Sequence, residues 1–320
     1  MAKAKKITKV VAVRRPRDPE RDARVRRALI HLTCAIVFIA LCGTGLFFDR
    51  RYVEHKLVFA KQPPTVVLKN RPVWMSDFLA EQIVKTARPA GAHSAFDHQL
   101  LVDTVAMLKA NPWIREVKQV RRAYGQQPGD TLEVDCEYRA PVALVKWQDF
   151  YWLVDGDGVK LPEVFSASDV PHILKGQDNK VNIRVIEGVA HAPPETGAKW
   201  TGGDLQAGLE LVKLLFGRNY AEEVERVDVS NFAGRQNLKA AQLVLVTRYH
   251  TQVRWGEPVT VAADDFAAEV PAARKLAFMQ AIWDENHRVD ANYPWVDLRF
   301  DTVGIPVDTA QAANATEVQR

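Results

Sequence analysis

The dominant feature of the hydropathy pattern is one uninterrupted apolar run near the N-terminus. Residues 28–48 read ALIHLTCAIVFIALCGTGLFF and contain no formally charged side chain. As an α-helix these 21 residues would extend about 31 Å, which matches the hydrocarbon thickness of a bilayer. A helix is also the one single-segment structure that satisfies its own backbone hydrogen bonds in lipid. The pattern therefore predicts a transmembrane helix over 28–48.

Basic residues are concentrated before this run. Eleven Lys or Arg and only three acidic residues precede position 28, whereas four cations, Arg50, Arg51, Lys56 and Lys61, follow the run. The flank with more Lys and Arg normally stays in the cytoplasm. The pattern therefore predicts a basic cytoplasmic tail over 1–27 and a single-pass, type II membrane protein. Its C-terminal region would then lie outside the cytoplasm.

Two other interpretations of the apolar run stay open. A cleaved signal peptide would share the basic flank, and Gly43-Thr44-Gly45 offers a small-x-small site. The apolar core of a signal peptide normally ends after about 7–15 residues, however, and this run is longer. A lipoprotein at Cys42 would need a small residue just before the cysteine, where Leu41 stands. A mature N-terminus between residues 42 and 49, measured by mass spectrometry, would exclude the anchor.

A charged linker over 49–63 leads into a first predicted folded unit over 64–140. Its periodicity gives the order strand, helix, helix, strand, strand. Ser76 and Asp97 precede the two helical stretches as N-cap residues, and Asn111-Pro112 ends the second helix. Three apolar residues are expected on one face of that second helix, namely Leu101, Val105 and Leu108.

The last strand of this unit, predicted over 131–137, alternates most clearly. Leu132, Val134 and Cys136 are apolar or small, and the residues between them are acidic. This alternation is typical of a strand with one face on a core and the other in water.

The pattern from 141 to 308 is richer in strands and predicts a mainly antiparallel β domain with two helices. The first helix is expected to begin at Asp204 and the second at Pro271. On the first helix, one apolar face is predicted from Leu205, Leu209, Val212 and Phe216. A terminal pair of strands is predicted over 296–300 and 303–307, so that the whole chain is an α+β protein.

Four remaining stretches are predicted to lack regular structure. Loops are expected over 125–127, 162–181 and 261–270, and the polar residues 309–320 are expected to form a flexible tail.

The search for chemistry in the sequence yields little. Cys34 and Cys42 lie inside the apolar run and Cys136 stands alone outside it, which excludes a disulfide framework. Residues 155–158, Asp-Gly-Asp-Gly, resemble the start of a calcium loop but lack its further ligands; a tight turn is favoured and calcium is the alternative. No phosphate-binding loop and no serine-hydrolase motif occurs.

The charge balance adds one exclusion. The chain beyond the N-terminal tail is mildly acidic, since the surplus of the tail exceeds the net charge of +4, and this argues against nucleic acid as a partner. The sequence therefore predicts a protein that is not an enzyme and binds no cofactor, no metal ion and no small-molecule substrate. An enzyme is possible only if its active site is formed by residues that no sequence motif marks.

Four short motifs follow one another along the chain. They are NPWI at 111–114, VRRAY with TLEV at 120–134, EYRAPVA at 137–143 and VDLRF at 296–300. Their order and spacing, after one basic-flanked anchor, resemble the FtsQ/DivIB family of bacterial cell-division proteins. Tyr124 departs from the family pattern, which usually has Trp there, and residues 125–127 are inserted. The structural motif residues that carry the resemblance are Asn111, Pro112, Trp113, Pro141, Asp297 and Arg299.

The resemblance implies a POTRA domain over 64–140 followed by an FtsQ-type β domain over 141–308. It also implies a non-enzymatic scaffold of septal wall synthesis, held in the lipid bilayer of the cell inner membrane at the division site, with its C-terminal region in the periplasm. The implied partners are FtsB/DivIC-like and FtsL-like membrane proteins. Two alternatives stay open: a membrane-tethered POTRA protein of secretion or envelope assembly, and a tethered envelope enzyme.

The end of the predicted sheet offers a physical basis for binding such partners. An edge strand exposes unpaired N–H and C=O groups, to which a partner strand can add. Pro306 lacks an N–H group and is tolerated in a strand only at an edge. The residues predicted to bind a partner along this edge are Val296, Leu298, Phe300, Val303 and Ile305. In addition, Arg121 and Arg122 are candidates for binding an acidic partner, and a solvated strand face is the alternative.

Overall fold

The computed structural model describes residues 19–56, 63–91, 93, 97–125, 128–175, 183–259 and 269–306. The chain divides into two compact units, Met1–Gln62 with Ala92–Phe96, and Pro63–Gly91 with Asp97–Arg320. The fold is a mixed α+β structure with one long apolar N-terminal helix.

The first unit contains helix α1 (Pro19–Lys56), in which the stretch Ala23–Tyr52 is long and apolar enough to cross a membrane. Its two threonines satisfy their hydroxyl groups within the helix, Thr33 on the carbonyl of Leu29 at 2.9 Å and Thr44 on that of Ala40 at 2.8 Å. Such internal hydrogen bonds suit a helix without water around it. The helix is compatible with a single-pass anchor or with a signal sequence.

Helix α1 is longer than the predicted span over 28–48. It includes the last residues of the predicted tail and the first part of the predicted linker over 49–63, because the charged residues around Arg50 and Arg51 continue the same helical backbone. Residues 1–18 and 57–62 lie outside the described residues.

The second unit begins with a three-stranded sheet and two helices, in the predicted element order. The elements are β1 (Thr65–Lys69), α2 (Asp77–Ala87), α3 (His98–Lys109), β2 (Ile114–Tyr124) and β3 (Pro128–Tyr138). The strand order is β1-β3-β2. Strands β2 and β3 form an antiparallel hairpin, and β1 pairs with β3 in parallel because the two helices carry the chain back across the sheet.

Both predicted N-caps are formed. The Ser76 hydroxyl accepts a hydrogen bond from the N–H of Leu79, and the Asp97 carboxylate accepts from those of Gln99 and Leu100. The predicted face of α3 is confirmed at Leu108. Leu101 and Val105 are only partly buried, and Leu100 and Thr104 are buried beside them. Thr104 can be buried because its hydroxyl donates to the carbonyl of Leu100 at 2.8 Å.

The alternating strand β3 has the two faces that its sequence predicts. Leu132, Val134 and Cys136 are buried beneath the helices. The acidic side chains between them lie on the opposite face.

The rest of the second unit is an eight-stranded sheet with three helices. The elements are β4 (Pro141–Trp147), β5 (Phe150–Asp155), β6 (Lys160–Ser166), α4 (Val170–Lys175), β7 (Arg184–Glu187), α5 (Gly203–Leu215), β8 (Val224–Asp228), β9 (Leu243–Thr247), β10 (Gln252–Gly256), α6 (Ala272–Asn286) and β11 (Trp295–Asp297), with 3-10 turns at Ala221–Glu223 and Phe232–Gly234. The strands of the sheet have the order β11-β10-β9-β8-β7-β4-β5-β6.

Most neighbouring strands of the two sheets are antiparallel, but the large sheet is mixed. Its hairpin neighbours are antiparallel, whereas β4 with β7, β7 with β8 and β10 with β11 run parallel. A helix lies in the connection between the members of each parallel pair, which is the arrangement that parallel pairing requires.

Several predicted details of this region differ from the structure. The expected loop over 162–181 contains most of β6 and the short helix α4, which makes three helices rather than two. The predicted terminal pair of strands is reduced to β11 and one bridge between Asp297 and Gly304. Residues 126–127, 176–182, 260–268 and 307–320 lie outside the described residues, so most of two expected loops and the expected tail do as well.

Helix α5 also begins differently from the prediction. Gly202 is its N-cap, and Asp204 lies inside the first turn. The Asp204 carboxylate accepts the N–H of Ala190 at 2.7 Å and pairs with Arg235 at 3.1 Å. Asp204 therefore fixes the loop before the helix instead of capping it.

The two faces of the large sheet belong to two cores. Helices α5 and α6 cover one face, around Trp255 and Met279. The other face of β4 to β7 packs against the three-stranded sheet and its helices, so that Leu144 and Leu132 share a core. The two sheets are therefore joined by apolar burial.

Candidate protein-binding edge at the C-terminal end of the sheet

Strand β11 is an edge of the eight-stranded sheet, but most of its outer side is already occupied. Its inner side bonds to β10, where the N–H of Leu298 donates to the carbonyl of Arg254 at 3.0 Å. On its outer side, Asp297 exchanges two hydrogen bonds with Gly304, at 2.8 and 2.9 Å. The carbonyl of Arg299 accepts the N–H of Val270 at 3.0 Å. The chain thus covers its own last strand.

The segment Val303–Ile305 becomes the outermost backbone of this edge. In an antiparallel bridge, the residues on either side of a bonded residue direct their N–H and C=O groups to the opposite side. Because Gly304 bonds inward to Asp297, the groups of Val303 and Ile305 face outward. None of the residues that the structure describes forms a hydrogen bond with those groups. Pro306 ends the run of donors.

The five side chains predicted along this edge fall into two groups. Val296 and Leu298 are fully buried in the core beneath α6, and Val303 packs partly against the same core. Phe300 is 52% exposed and Ile305 is 40% exposed. A partner can therefore contact the side chains of Phe300 and Ile305 at this edge. Val296 and Leu298 are buried behind the strand and stabilise it.

The motif residues Asp297 and Arg299 form a two-pronged ion pair at the end of β11. Arg299 Nε lies 3.0 Å from Asp297 Oδ1 and Nη2 lies 2.8 Å from Oδ2, while Nη1 donates to the carbonyl of Lys239 at 2.9 Å. Burial alone would raise the pKa of Asp297, but the hydrogen bonds and charge of Arg299, with the charge of Arg254, hold that pKa below its usual range. The pair fixes the turn that brings Gly304 back to the strand.

A small cleft adjoins the edge and holds an apolar residue that the sequence did not single out. Phe300 and Leu238 line this cleft of 290 Å³, together with Glu257, Glu269 and Arg299. Leu238 is 87% exposed. Leu238 lies in a loop, where no periodicity marks a residue, and only the folded chain brings it beside Phe300.

The predicted pair Arg121 and Arg122 lies on strand β2 and is divided between its two faces. Arg121 Nε donates to Glu133 Oε2 at 2.7 Å on the solvated face. Arg122 donates to the carbonyl of Asp97 at 2.9 Å on the face of the helices, and burial lowers its pKa. The two arginines therefore do not form one surface.

The other motif residues lie where the two sheets meet. Asn111 Oδ1 accepts the N–H of Trp113 at 3.0 Å, and Pro112 lies beside Gly197. Trp113 is buried, and its carbonyl accepts the N–H of Arg139 at 2.9 Å. Pro141 begins β4. These residues position the first sheet against the second and carry no chemistry of their own.

In the turn over 155–158, both carboxylate oxygens of Asp155 accept hydrogen bonds. Asp155 Oδ2 accepts from Arg139 Nη1 at 2.7 Å, and Oδ1 accepts from the N–H groups of Asp157 and Val159. The turn thus serves as a joint between the sheets. Among the described residues, no group of three His, Cys, Asp or Glu side chains could hold a metal ion.

Comparison with models of known protein families gives no match for this chain, and comparison with curated proteins gives none at the level of significance applied. The observations that bear on function are therefore the motifs, the apolar N-terminal helix and the geometry of the terminal edge.

Proposed function

We propose that this chain is a non-enzymatic, membrane-anchored scaffold of the bacterial cell-division machinery. It binds other single-pass division proteins, of the FtsB/DivIC-like and FtsL-like kinds, by strand addition at Val303–Ile305. The observation that carries the proposal is the row of outward backbone groups beside the exposed side chains of Phe300 and Ile305. The assignment to cell division rests on the four ordered motifs that resemble the FtsQ/DivIB family.

The physical basis of binding is the same as for other added strands. Main-chain hydrogen bonds supply affinity, and the side chains beside the strand supply selectivity. Here Phe300, Ile305 and Leu238 supply apolar surface, while the Asp297–Arg299 pair holds the edge in place before the partner arrives. A preformed edge lowers the ordering cost of association.

The proposal is tested by comparing Ile305→Pro with Ile305→Ala in the full chain. Both variants lose the isoleucine side chain, but only proline removes the outward N–H group. We expect about a tenfold smaller yield of co-purified partner for proline than for alanine, since one lost bond that leaves its acceptor unsatisfied costs roughly 1–3 kcal/mol. Equal yields of the two variants would show that the edge is not the binding surface.

The apolar contact is tested by Phe300→Lys, with Val73→Lys as the matched control on a different exposed surface. Only the first change should reduce co-purification.

A fluorescent fusion of the full chain then tests the cellular role: accumulation at midcell is expected, and a uniform envelope signal would instead support secretion or envelope assembly.

A further inference from the structure

A second concave surface lies on the large sheet, away from the terminal edge. It is an open groove of 810 Å³, where α4, the end of α5 and the turn between β9 and β10 surround β7 and β8. None of its lining residues belongs to the terminal edge or to the cleft beside Phe300. The groove is within the volume range of ligand-binding clefts and far larger than one inorganic anion.

Positive charge dominates the lining. Among the described residues, four arginines line the groove. Only two glutamates of its lining, Glu222 and Glu225, carry the opposite charge. A third carboxylate, Glu187, reaches Arg226 at 3.3 Å. Counting it still leaves a positive surplus. The four arginines are Arg184, Arg218, Arg226 and Arg248.

Arg184 is unusual because it is only 5% exposed and has no direct carboxylate partner among the residues that the structure describes. Its Nη1 donates to the carbonyl of Ile183 at 2.7 Å and its Nη2 to that of Ala221 at 2.6 Å. A guanidinium has five N–H donors, and a buried charge is costly unless an opposite charge pairs with it. Burial lowers the pKa of Arg184 to about 10, which leaves it charged at neutral pH.

Apolar and aromatic side chains lie between the charges. Phe216 is 62% exposed just beyond the end of α5, and Tyr249 is exposed on the turn after β9. Val170 and Leu174 of α4 supply the apolar wall. Arginine together with aromatic residues is the composition enriched where proteins bind other proteins.

We propose that this groove binds an acidic, partly apolar segment of another protein. Guanidinium groups pair with carboxylates through two parallel hydrogen bonds, which gives direction as well as attraction. Glu222 and Glu225 repel a uniformly anionic chain such as nucleic acid, so the ligand carries spaced carboxylates between apolar residues. The groove is independent of the terminal edge, so it can engage a second partner at the same time.

The first test uses a synthetic peptide that alternates glutamate with leucine and phenylalanine, and a matched peptide with glutamine in place of glutamate. Binding to the full chain in nanodiscs of uncharged lipid is measured by fluorescence anisotropy. We expect the glutamate peptide to bind about tenfold more tightly, with the difference falling as salt rises. Equal affinity of the two peptides, or no binding of either, would overturn the proposal.

Charge reversal locates the binding within the groove. The double variant Arg218→Glu and Arg248→Glu should lower the affinity for the glutamate peptide about tenfold. The matched control reverses Arg88 and Lys118, which are exposed outside the groove, and changes the net charge equally. Equal losses in the two double variants would mean that only overall charge matters, which contradicts a specific groove.

A photocrosslinking residue at Phe216 tests the groove in native membranes. We expect crosslinks to a protein segment with acidic residues, and their loss when Arg218 and Arg248 are reversed to glutamate. Crosslinks to phospholipid, crosslinks that survive the reversal, or the absence of any protein crosslink would each contradict the proposal.

Discussion

At the scale of single residues, two arginines approach the turn over 155–158 in very different surroundings. Arg139 is largely buried and pairs with the buried Asp155 at 2.7 Å. Arg115 is half exposed and pairs with Asp157 at 3.0 Å and with Glu137 at 3.4 Å. Coulomb attraction is screened for the exposed pair, whereas the buried carboxylate has no water to replace a lost partner.

We therefore expect Arg139→Met to lower the free energy of unfolding by roughly 3–5 kcal/mol, because it leaves Asp155 buried and unpaired. Arg115→Met should cost less than about 1 kcal/mol. Denaturant unfolding of the full chain, followed by tryptophan fluorescence, measures both. Similar losses for the two variants would show that the buried pair does not join the sheets.

At the scale of elements, helix α5 packs closely on the sheet because it has a glycine at the contact. A Cβ atom at Gly208 would lie 3.1 Å from Ile186 Cγ2 and 3.2 Å from Val229 Cγ1, which is tighter than ordinary contact. Leu205, Leu209 and Val212 bury the rest of this helix face. The spacing of the helix from β7 and β8 thus depends on one missing side chain.

We expect Gly208→Val to lower the free energy of unfolding by about 1–3 kcal/mol, since the added methyl groups force the helix away from Ile186. Valine has a higher helix propensity than glycine, so propensity cannot explain a loss at Gly208. Lys213→Val is the control for a valine at an exposed position of the same helix. Thermal unfolding followed by circular dichroism compares the two. A control variant that loses as much stability would remove the close contact as the explanation.

Local signals predicted most elements because they act within a few residues. The caps Ser76 and Asp97 and the alternation at Leu132 and Val134 all appear in the structure. The predicted face of α3 is confirmed at Leu108, but its other buried residues are Leu100 and Thr104, because the Thr104 hydroxyl bonds within the helix and needs no water. Helix α4 was missed because its six residues are too few to show a period.

At the scale of the whole molecule, the resemblance and the flanking charges imply that the second unit lies in the periplasm. We expect protease added to intact spheroplasts to digest the chain beyond residue 63. An N-terminal fragment that contains α1 should remain in the membrane. A cytoplasmic protein in the same spheroplasts is the control for leakage. Resistance of the second unit to digestion until the membrane is lysed would contradict the predicted orientation.

At the candidate edge, the sequence predicts where the edge lies in the chain but not which of its side chains are exposed. The motif around Asp297 and Arg299 lies in the segment that forms the terminal edge of the large sheet. Which side chains reach the surface depends on α6, which covers Val296 and Leu298, and on Gly304, which bonds back to Asp297. These contacts join residues that are distant in the sequence, or residues of a turn that has no hydrophobic periodicity. The local sequence pattern therefore could not predict them.

The apolar helix, the element order of the first sheet and most strands and caps follow from the sequence, because hydropathy period and capping chemistry are local. The folded chain was needed to show that four strand pairs of the described residues run parallel, that Val303–Ile305 is the outermost backbone and that four arginines surround one groove. Pairing partners and shared surfaces depend on how separate elements pack. Packing is decided by the burial of the whole chain, and no short stretch of residues carries that information.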